Sequence, residues 1–176
     1  MPTKIDLHVH TCYSGDCATL LEEVISYSKR KGLNGVAITD HNTVEGALKL
    51  LKMKNTGLLI IPGIEVSTKR GHILGINITT QIPKGLDADE TVDRIHEAGG
   101  IAVAAHPSDV FKKGIGLDES MGSLNLDAIE VINSSSLPFF LTTYLSGKLA
   151  ERLHLPKTAG SDSHLPETIG LAYTII

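Results

Sequence analysis

Tryptophan is absent from this 176-residue chain and aromatic residues make up only 4% of it, so its core must be built from aliphatic side chains. Long apolar runs are missing too: no stretch approaches the ~20 apolar residues of a membrane span. Nor does the chain open with a cationic segment, an apolar run and a small-residue cleavage site. We therefore expect no membrane contact and a cytoplasmic location. Cysteine is scarce. Cys12 and Cys17 are the only two, too few for a disulfide-built fold or a cysteine zinc cluster, and both are expected to be free thiols. An excess of positive charge is also lacking. Sixteen Lys and Arg against twenty Asp and Glu leave a net charge of -4, which disfavours binding of duplex nucleic acid. Low-complexity segments, Gly/Ser/Pro-rich linkers and solenoid repeats do not occur.

What is present is a strand-then-helix rhythm over a length suited to one domain, residues 1–176. Ile5 to Val9 reads as a first strand. Leu20, Leu21, Val24, Ile25 and Tyr27 then recur at helical spacing, with Thr19 as N-cap and Gly32 as stop. Gly35 to Thr39 reads as a second strand, followed by a helix over 43–54. Leu58 to Ile61 with Gly63 to Ser67 makes a third, beside the alternating segment His72 to Ile78. A helix over Asp89 to Ala98 leads to a strand at Ile101 to Ala105. Further strands are expected at Ala128 to Ile132, Thr158 to Ser161 and Leu171 to Ile176, with a helix at Pro138 to Leu153. Apolar strands alternating with helices imply an α/β fold with a parallel sheet buried on both faces. The chain is short for a closed eight-fold barrel, which typically needs ~250 residues, so a smaller or distorted barrel is expected. The loop from Pro107 to Leu126, rich in glycine and low in periodicity, is a candidate substrate cover.

Six of the eight histidines, His8, His10, His41, His72, His106 and His164, fall in or just after these strands. Carboxyl ends of barrel strands converge on one rim, which makes distant residues neighbours. His96 and His154 fall in or near helices and are read as having no chemical role. His8 and His10, two apart on a strand, point the same way and are able to grip one ion. Alone that pair is a weak signal, but Thr39-Asp-His-Asn42, Gly63-Ile-Glu65, Ala105-His-Pro107 and Gly160-Ser-Asp-Ser-His164 repeat it at successive strand ends. Buried carboxylates and imidazoles in such numbers call for cations. Nine candidate ligands, His8, His10, Asp16, His41, Glu65, His72, His106, Asp162 and His164, suffice for three divalent ions if Glu65 is shared. The mixed nitrogen and oxygen set suits zinc, manganese or iron better than calcium or magnesium. A pocket so charged attracts a phosphate dianion.

These motifs, Asp6-Leu-His-Val-His-Thr11 with the four just quoted, occur in the order found in the PHP (polymerase and histidinol phosphatase) superfamily, and the resemblance covers nearly the whole chain. It implies a distorted seven-stranded (β/α)7 TIM-like barrel, a trinuclear metal centre and hydrolysis of phosphoric esters. Carried over by residue, it implies a first metal on His8, His10, Glu65 and Asp162. It implies a second on Glu65, His72 and His106 and a third on Asp16, His41 and His164. Asp16 stands where some relatives have histidine, and a carboxylate there favours a harder metal. Asp6 and Asp40 are candidates for acid-base help or for orienting a ligand imidazole. Arg70, Lys112 and Lys113 are candidates for substrate phosphate. The expected substrate is a small phosphate ester, a nucleotide or short oligonucleotide among the options. Histidinol-phosphate phosphatase, polymerase-type exonuclease and a non-catalytic metal-binding module are the competing readings. Amidohydrolases share the His-x-His opening, but they call for a larger barrel and often a bridging lysine, where this chain has Ala104-Ala105-His106.

Overall fold

The computed structural model describes residues 2–112, 114–116 and 119–176. Its sheet runs in the order β7-β6-β5-β4-β3-β2-β1-β8. The strands are β1 (Lys4–Val9), β2 (Gly35–Ile38), β3 (Leu59–Ser67), β4 (His72–Ile76), β5 (Ile101–Ala104), β6 (Ala128–Asn133), β7 (Lys157–Gly160) and β8 (Thr174–Ile175). Four helices cover it: α1 (Leu21–Arg30), α2 (Glu45–Lys52), α3 (Ala88–Glu97) and α4 (Phe139–Leu153). The sheet nearly closes on itself. At one end β8 pairs antiparallel with β1, and the Thr174 hydroxyl accepts from the Ala159 N–H of β7 at 2.9 Å. At the other end Val9 bridges Ser163, and the Asp162 N–H donates to the His8 carbonyl at 2.8 Å.

Two strands correct the expectation of a wholly parallel sheet. β4 runs antiparallel to both β3 and β5. The turn from Ser67 to His72 explains it, since Thr68 to Gly71 closes on itself (N to O, 2.8 Å) and is far too short for a parallel crossover. The terminal segment expected as a full strand over Leu171 to Ile176 is regular only at Thr174–Ile175, and it also runs antiparallel. The barrel is thus seven full strands with one reversed, plus a short wedge. Thr19 is not the N-cap of α1. That position is Leu20, whose N–H donates to the Glu23 carboxylate at 2.8 Å, while the Thr19 hydroxyl turns to the His164 carbonyl at 3.4 Å. Gly32 does end α1, at φ +70°, where a side chain would be strained.

Apolar residues sort by strand alternation. Val36 and Ile38 pack outward with Val24 and Leu50 of the helices, whereas Ala37, Leu74, Val103 and Ala128 form the small inner cluster. On β1 the alternation breaks: Leu7 joins the inner cluster and Val9 the outer one, across a register shift between Asp6 and Val9. Such an irregularity re-aims side chains. It leaves His8 and His10 both facing Glu65 at the rim.

Gly160 is where β7 meets β1. A Cβ there would lie 2.4 Å from His8 Cβ and 2.9 Å from its N. Gly160→Ala is expected to lower stability by about 1–3 kcal/mol in urea unfolding through overpacking. Gly122→Ala, whose Cβ would lie an ordinary 3.5 Å from the Leu153 side chain, should change it by less than about 0.5 kcal/mol.

Candidate metal centre

Glu65 is fully buried on β3 and divides its carboxylate between two sets of imidazoles. Its Oε2 lies 3.3 Å from His8 Nε2, 3.2 Å from His10 Nε2 and 3.1 Å from His41 Nδ1. Its Oε1 lies 2.9 Å from His72 Nδ1 and 3.1 Å from His106 Nε2. Asp162 Oδ1 adds a second carboxylate 3.2 Å from His10 Nε2 and 3.5 Å from His8 Nε2. On the outer side Asp16 Oδ2 stands 3.4 Å from both His41 Nε2 and His164 Nε2. The donor atoms fall into three groups, each within 4.8 Å: His8, His10, Glu65 and Asp162; His41, Glu65 and His72; and His10, Asp16, His41 and His164. These groups hold eight of the nine residues singled out in the sequence, and the ninth, His106, joins the same rim through its 3.1 Å contact with Glu65 Oε1.

Their chemistry fits cations. His8 and His10 point ring nitrogens at one another across 3.1 Å. The Nδ1 atoms of His41 and His72 are buried and lie within 3.1 Å of Glu65 oxygens, yet neither is aligned for a hydrogen bond. Ligands at ~2.0–2.2 Å from a shared ion come to about this separation. Backbone strain gathers here as well, since His106 and Asp162 sit at φ +29° and +53°, rare for side-chain-bearing residues.

Protons take the place of cations when none is bound. Burial alone would push the His8 imidazole down, but the carboxylates of Glu130, Asp162 and Glu65 outweigh it and hold it well above its ordinary value. His10, opposed by burial and favoured by bonds to Asp162 and Glu65, is raised to about 9. Against the same burial, the surrounding imidazoles, His8 first, hold Glu65 and Asp162 well below the carboxylate range. Burial dominates at His41, which drops to about 4.

The neighbouring groups that orient these imidazoles were missed in the sequence. Glu130 Oε1 meets His8 Nδ1 at 2.9 Å, while its Oε2 accepts from the His106 N–H at 2.8 Å and from Asn133 Nδ2 at 2.9 Å. A carboxylate in the apolar run Ala128-Ile-Glu-Val-Ile132 was the available signal. The Ser14 hydroxyl holds His10 Nδ1 at 3.0 Å and accepts from the His41 N–H at 3.0 Å. The structure puts Asp6 and Asp40 elsewhere. Asp6 accepts the N–H groups of His8, Ser161 and Gly170 at 3.2, 2.8 and 2.9 Å, and burial lifts its carboxyl to about 6 against those bonds. Asp40 accepts the N–H of Thr11 at 2.6 Å and its hydroxyl at 2.8 Å. Neither carboxylate hydrogen-bonds a ligand imidazole among the described residues.

Of the two basic candidates among the described residues, Lys112 reaches the centre. Its Nζ lies 2.5 Å from Asp162 Oδ2 and 2.6 Å from Ser135 Oγ. It lines a cavity of about 150 Å³ with His41, Glu65, His72, His106, Asp162 and His164. Arg70 sits on the exposed turn before β4 and lines two other depressions, one of which shares His72 with that cavity, but it does not line the cavity itself. Lys113 lies outside the described residues. The 107–126 loop is anchored by Ile115 and Met121, which are buried in the main core, so its rim portion is the stretch that carries Lys112.

Comparison with known proteins matches residues 6–153 to the PHP domain and residues 144–176 to a PHP-associated segment. The chain belongs to the PHP family. Its PHP-associated part includes β7, Asp162 and His164, so both matched segments contribute to the rim. A Methanocaldococcus jannaschii protein of unassigned activity is 38% identical over 142 residues, covering 74% of this chain and 82% of its own. A Syntrophotalea carbinolica protein assigned as a phosphatase is 24% identical, covering 96% of this chain and 83% of its own. The PHP barrel is shared with a Bifidobacterium adolescentis structure assigned as a metal-dependent phosphoesterase, at a TM-score of 0.80 and 20% identity. That match covers 97% of this chain and 92% of the other.

Glu130→Gln keeps the shape but removes the charge behind His8. Metal affinity is expected to fall about 10–100-fold, with far-UV circular dichroism unchanged, as read by competition with a chromophoric chelator. Because His10 holds its proton up to about pH 9 without metal, binding must displace that proton. His8 is also held protonated, so apparent affinity should rise from pH 6 to at least about 9, and calorimetry in buffers of different ionisation enthalpy should detect proton release.

Proposed function

We propose that this chain hydrolyses a small phosphate ester with three divalent ions of zinc, manganese or iron at the rim. The observation that carries this reading is the forked placement of Glu65, each oxygen within 3.3 Å of its own set of imidazoles. His8, His10, Glu65 and Asp162 would hold the first ion, Glu65, His72 and His106 the second, and Asp16, His41 and His164 the third. When bound, the ions supply Lewis acidity and a strong positive field for a phosphate dianion.

The protein's own groups do the rest. Asp162 turns Oδ1 toward His8 and His10 and Oδ2 toward Lys112, so the lysine stays on the cavity wall without taking the ligating oxygen. Its ammonium is placed to pair with a phosphate oxygen entering the cavity. The Glu130 carboxylate, which only accepts, fixes the tautomer of His8 through Nδ1, and Ser14 holds the His10 ring in place through its Nδ1. Asp6 and Asp40 act on the backbone beneath the ligands, and Arg70 is not assigned to substrate. The cavity is small, about 150 Å³, which favours a single small ester over an extended strand. Relatives assigned as phosphatase and phosphoesterase support the same reaction class, and a cytoplasmic setting suits such substrates.

Phosphate release from a panel of mono- and diesters is expected with manganese, zinc or iron and should vanish after chelation. Glu65→Gln should lower kcat by about 100-fold or more while the chain stays folded by circular dichroism. Full turnover by that variant, or by metal-stripped protein, would overturn the metal-dependent reading, whereas metal binding with no turnover on any ester would favour a non-catalytic metal-binding module.

A further inference from the structure

Beside the metal cavity lies a second depression, about 170 Å³, that shares Asp162 and His164 with it. Its remaining lining includes Ser134, Ser135 and Thr168, with Leu165 and Leu171 as apolar walls that are 61% and 57% exposed. Neither leucine belongs to a core cluster among the described residues. Apart from the shared Asp162 and His164, none of the described lining residues carries charge.

The hydroxyls keep unused hydrogen-bonding capacity of both kinds. Ser134 Oγ donates to the Ser161 carbonyl at 3.0 Å and Thr168 Oγ1 to the Leu165 carbonyl at 2.8 Å, which leaves the lone pairs of both oxygens able to accept. Ser135 Oγ instead accepts from Lys112 Nζ at 2.6 Å, so its proton remains to be donated. The lysine placed to meet phosphate is thereby bonded directly to the edge of the hydroxyl-lined depression. A ligand that fills it must present hydroxyl groups around its edge and C–H faces to the leucines. Sugar rings have that character. The volume falls below the ~300 Å³ at which pockets begin to take drug-sized ligands, so it suits one ring.

We propose that this depression is the leaving-group subsite and that it selects the monophosphate ester of a single-ring sugar or similar cyclic polyol. The proposal rests on the phosphoesterase reading above and names its substrate class. Hydrolysis there joins a water oxygen to phosphorus, breaks the bond from phosphorus to the sugar oxygen and leaves one water proton on the departing sugar hydroxyl. Phosphate stays with the metal ligands and Lys112, and the sugar leaves over Ser135 and Thr168.

The test uses the metal-loaded full chain with a pentose or hexose monophosphate and with phenyl phosphate, which has no hydroxyls to offer. The wild type should prefer the sugar ester once leaving-group acidity is corrected for. In the double variant Ser134→Ala/Thr168→Val the ratio of kcat/KM for sugar phosphate to that for phenyl phosphate should fall about tenfold, mainly through KM. A general structural defect would lower both numbers and leave the ratio unchanged, and that result overturns the subsite. So does a wild-type preference for a nucleoside bisphosphate or a dinucleotide that the double variant does not alter. Failure of the wild type on every ester with any of the three metals would instead overturn the phosphoesterase reading, and the subsite with it.

Discussion

One carboxylate without access to water, Glu65, sets the terms for the rest of this molecule. An ionised carboxylate in a low-dielectric interior costs several kcal/mol unless opposite charge surrounds it. Here five imidazoles from β1, β4 and the ends of β2 and β5 close around it, within 3.3 Å. With no metal bound, protons on His8 and His10 provide the compensation. Divalent ions compensate more completely, because they also satisfy ring nitrogens left without aligned partners. The site therefore has the electrostatics of a cation receptor before any ion arrives, and the protons held by its imidazoles are what an ion must displace.

That arrangement demands a frame that cannot relax, and the closure of the barrel supplies it. Asp6 gathers N–H groups from His8, Ser161 and Gly170, which ties β1 to both segments that complete the barrel. Burial raises its carboxyl to about 6, so below that pH it becomes neutral and its hold on the three N–H groups weakens. Gly160 lets β7 approach His8 more closely than any side chain allows. Glu130 then spans the join, meeting the His8 ring with one oxygen and the His106 backbone with the other. Left-handed backbone at His106 and Asp162 is affordable only because these contacts over-determine both residues.

Much of this was legible in the chain because the strands are short apolar runs with chemistry at their carboxyl ends. His8, His10, His41, His106, Asp162 and His164 follow that rule. His72 does not, since it begins an antiparallel strand. It reaches the same rim because β4 runs downward, and reversal depends on the tightness of the Thr68 to Gly71 turn rather than on any pattern within the strand. Glu130 carries no such signal, because a lone carboxylate in an apolar strand has no spacing partner, and only the fold brings His8 to it across 122 positions. The terminal wedge was read too long for a similar reason. Apolar character at Leu171 to Ile176 suggests a strand, but only two residues of it find backbone partners regular enough to form one.

Asp6 and Asp40 show the limit of reading roles from proximity in sequence. Each adjoins a ligand motif, and a carboxylate next to a ligand invites assignment to the ligand's ring. A strand sends adjacent side chains to opposite faces, which turns Asp40 from the ring of His41, while Asp6, two residues before His8 and on its side, spends its oxygens on the N–H groups of His8, Ser161 and Gly170. Contact with an imidazole instead comes from a different strand facing the same interior, as Glu130 does, or from a turn folding back over the rim, as Ser14 does. The neighbour in sequence is left to hold the backbone from behind. Arg70 and Lys112 differ in reach: the tight turn before β4 leaves Arg70 lining a depression beside His72, while the loop after β5 leads Lys112 across the rim to Asp162. Basic residues near ligand motifs are thus sorted by the direction of the strand that delivers them, which depends on topology rather than composition.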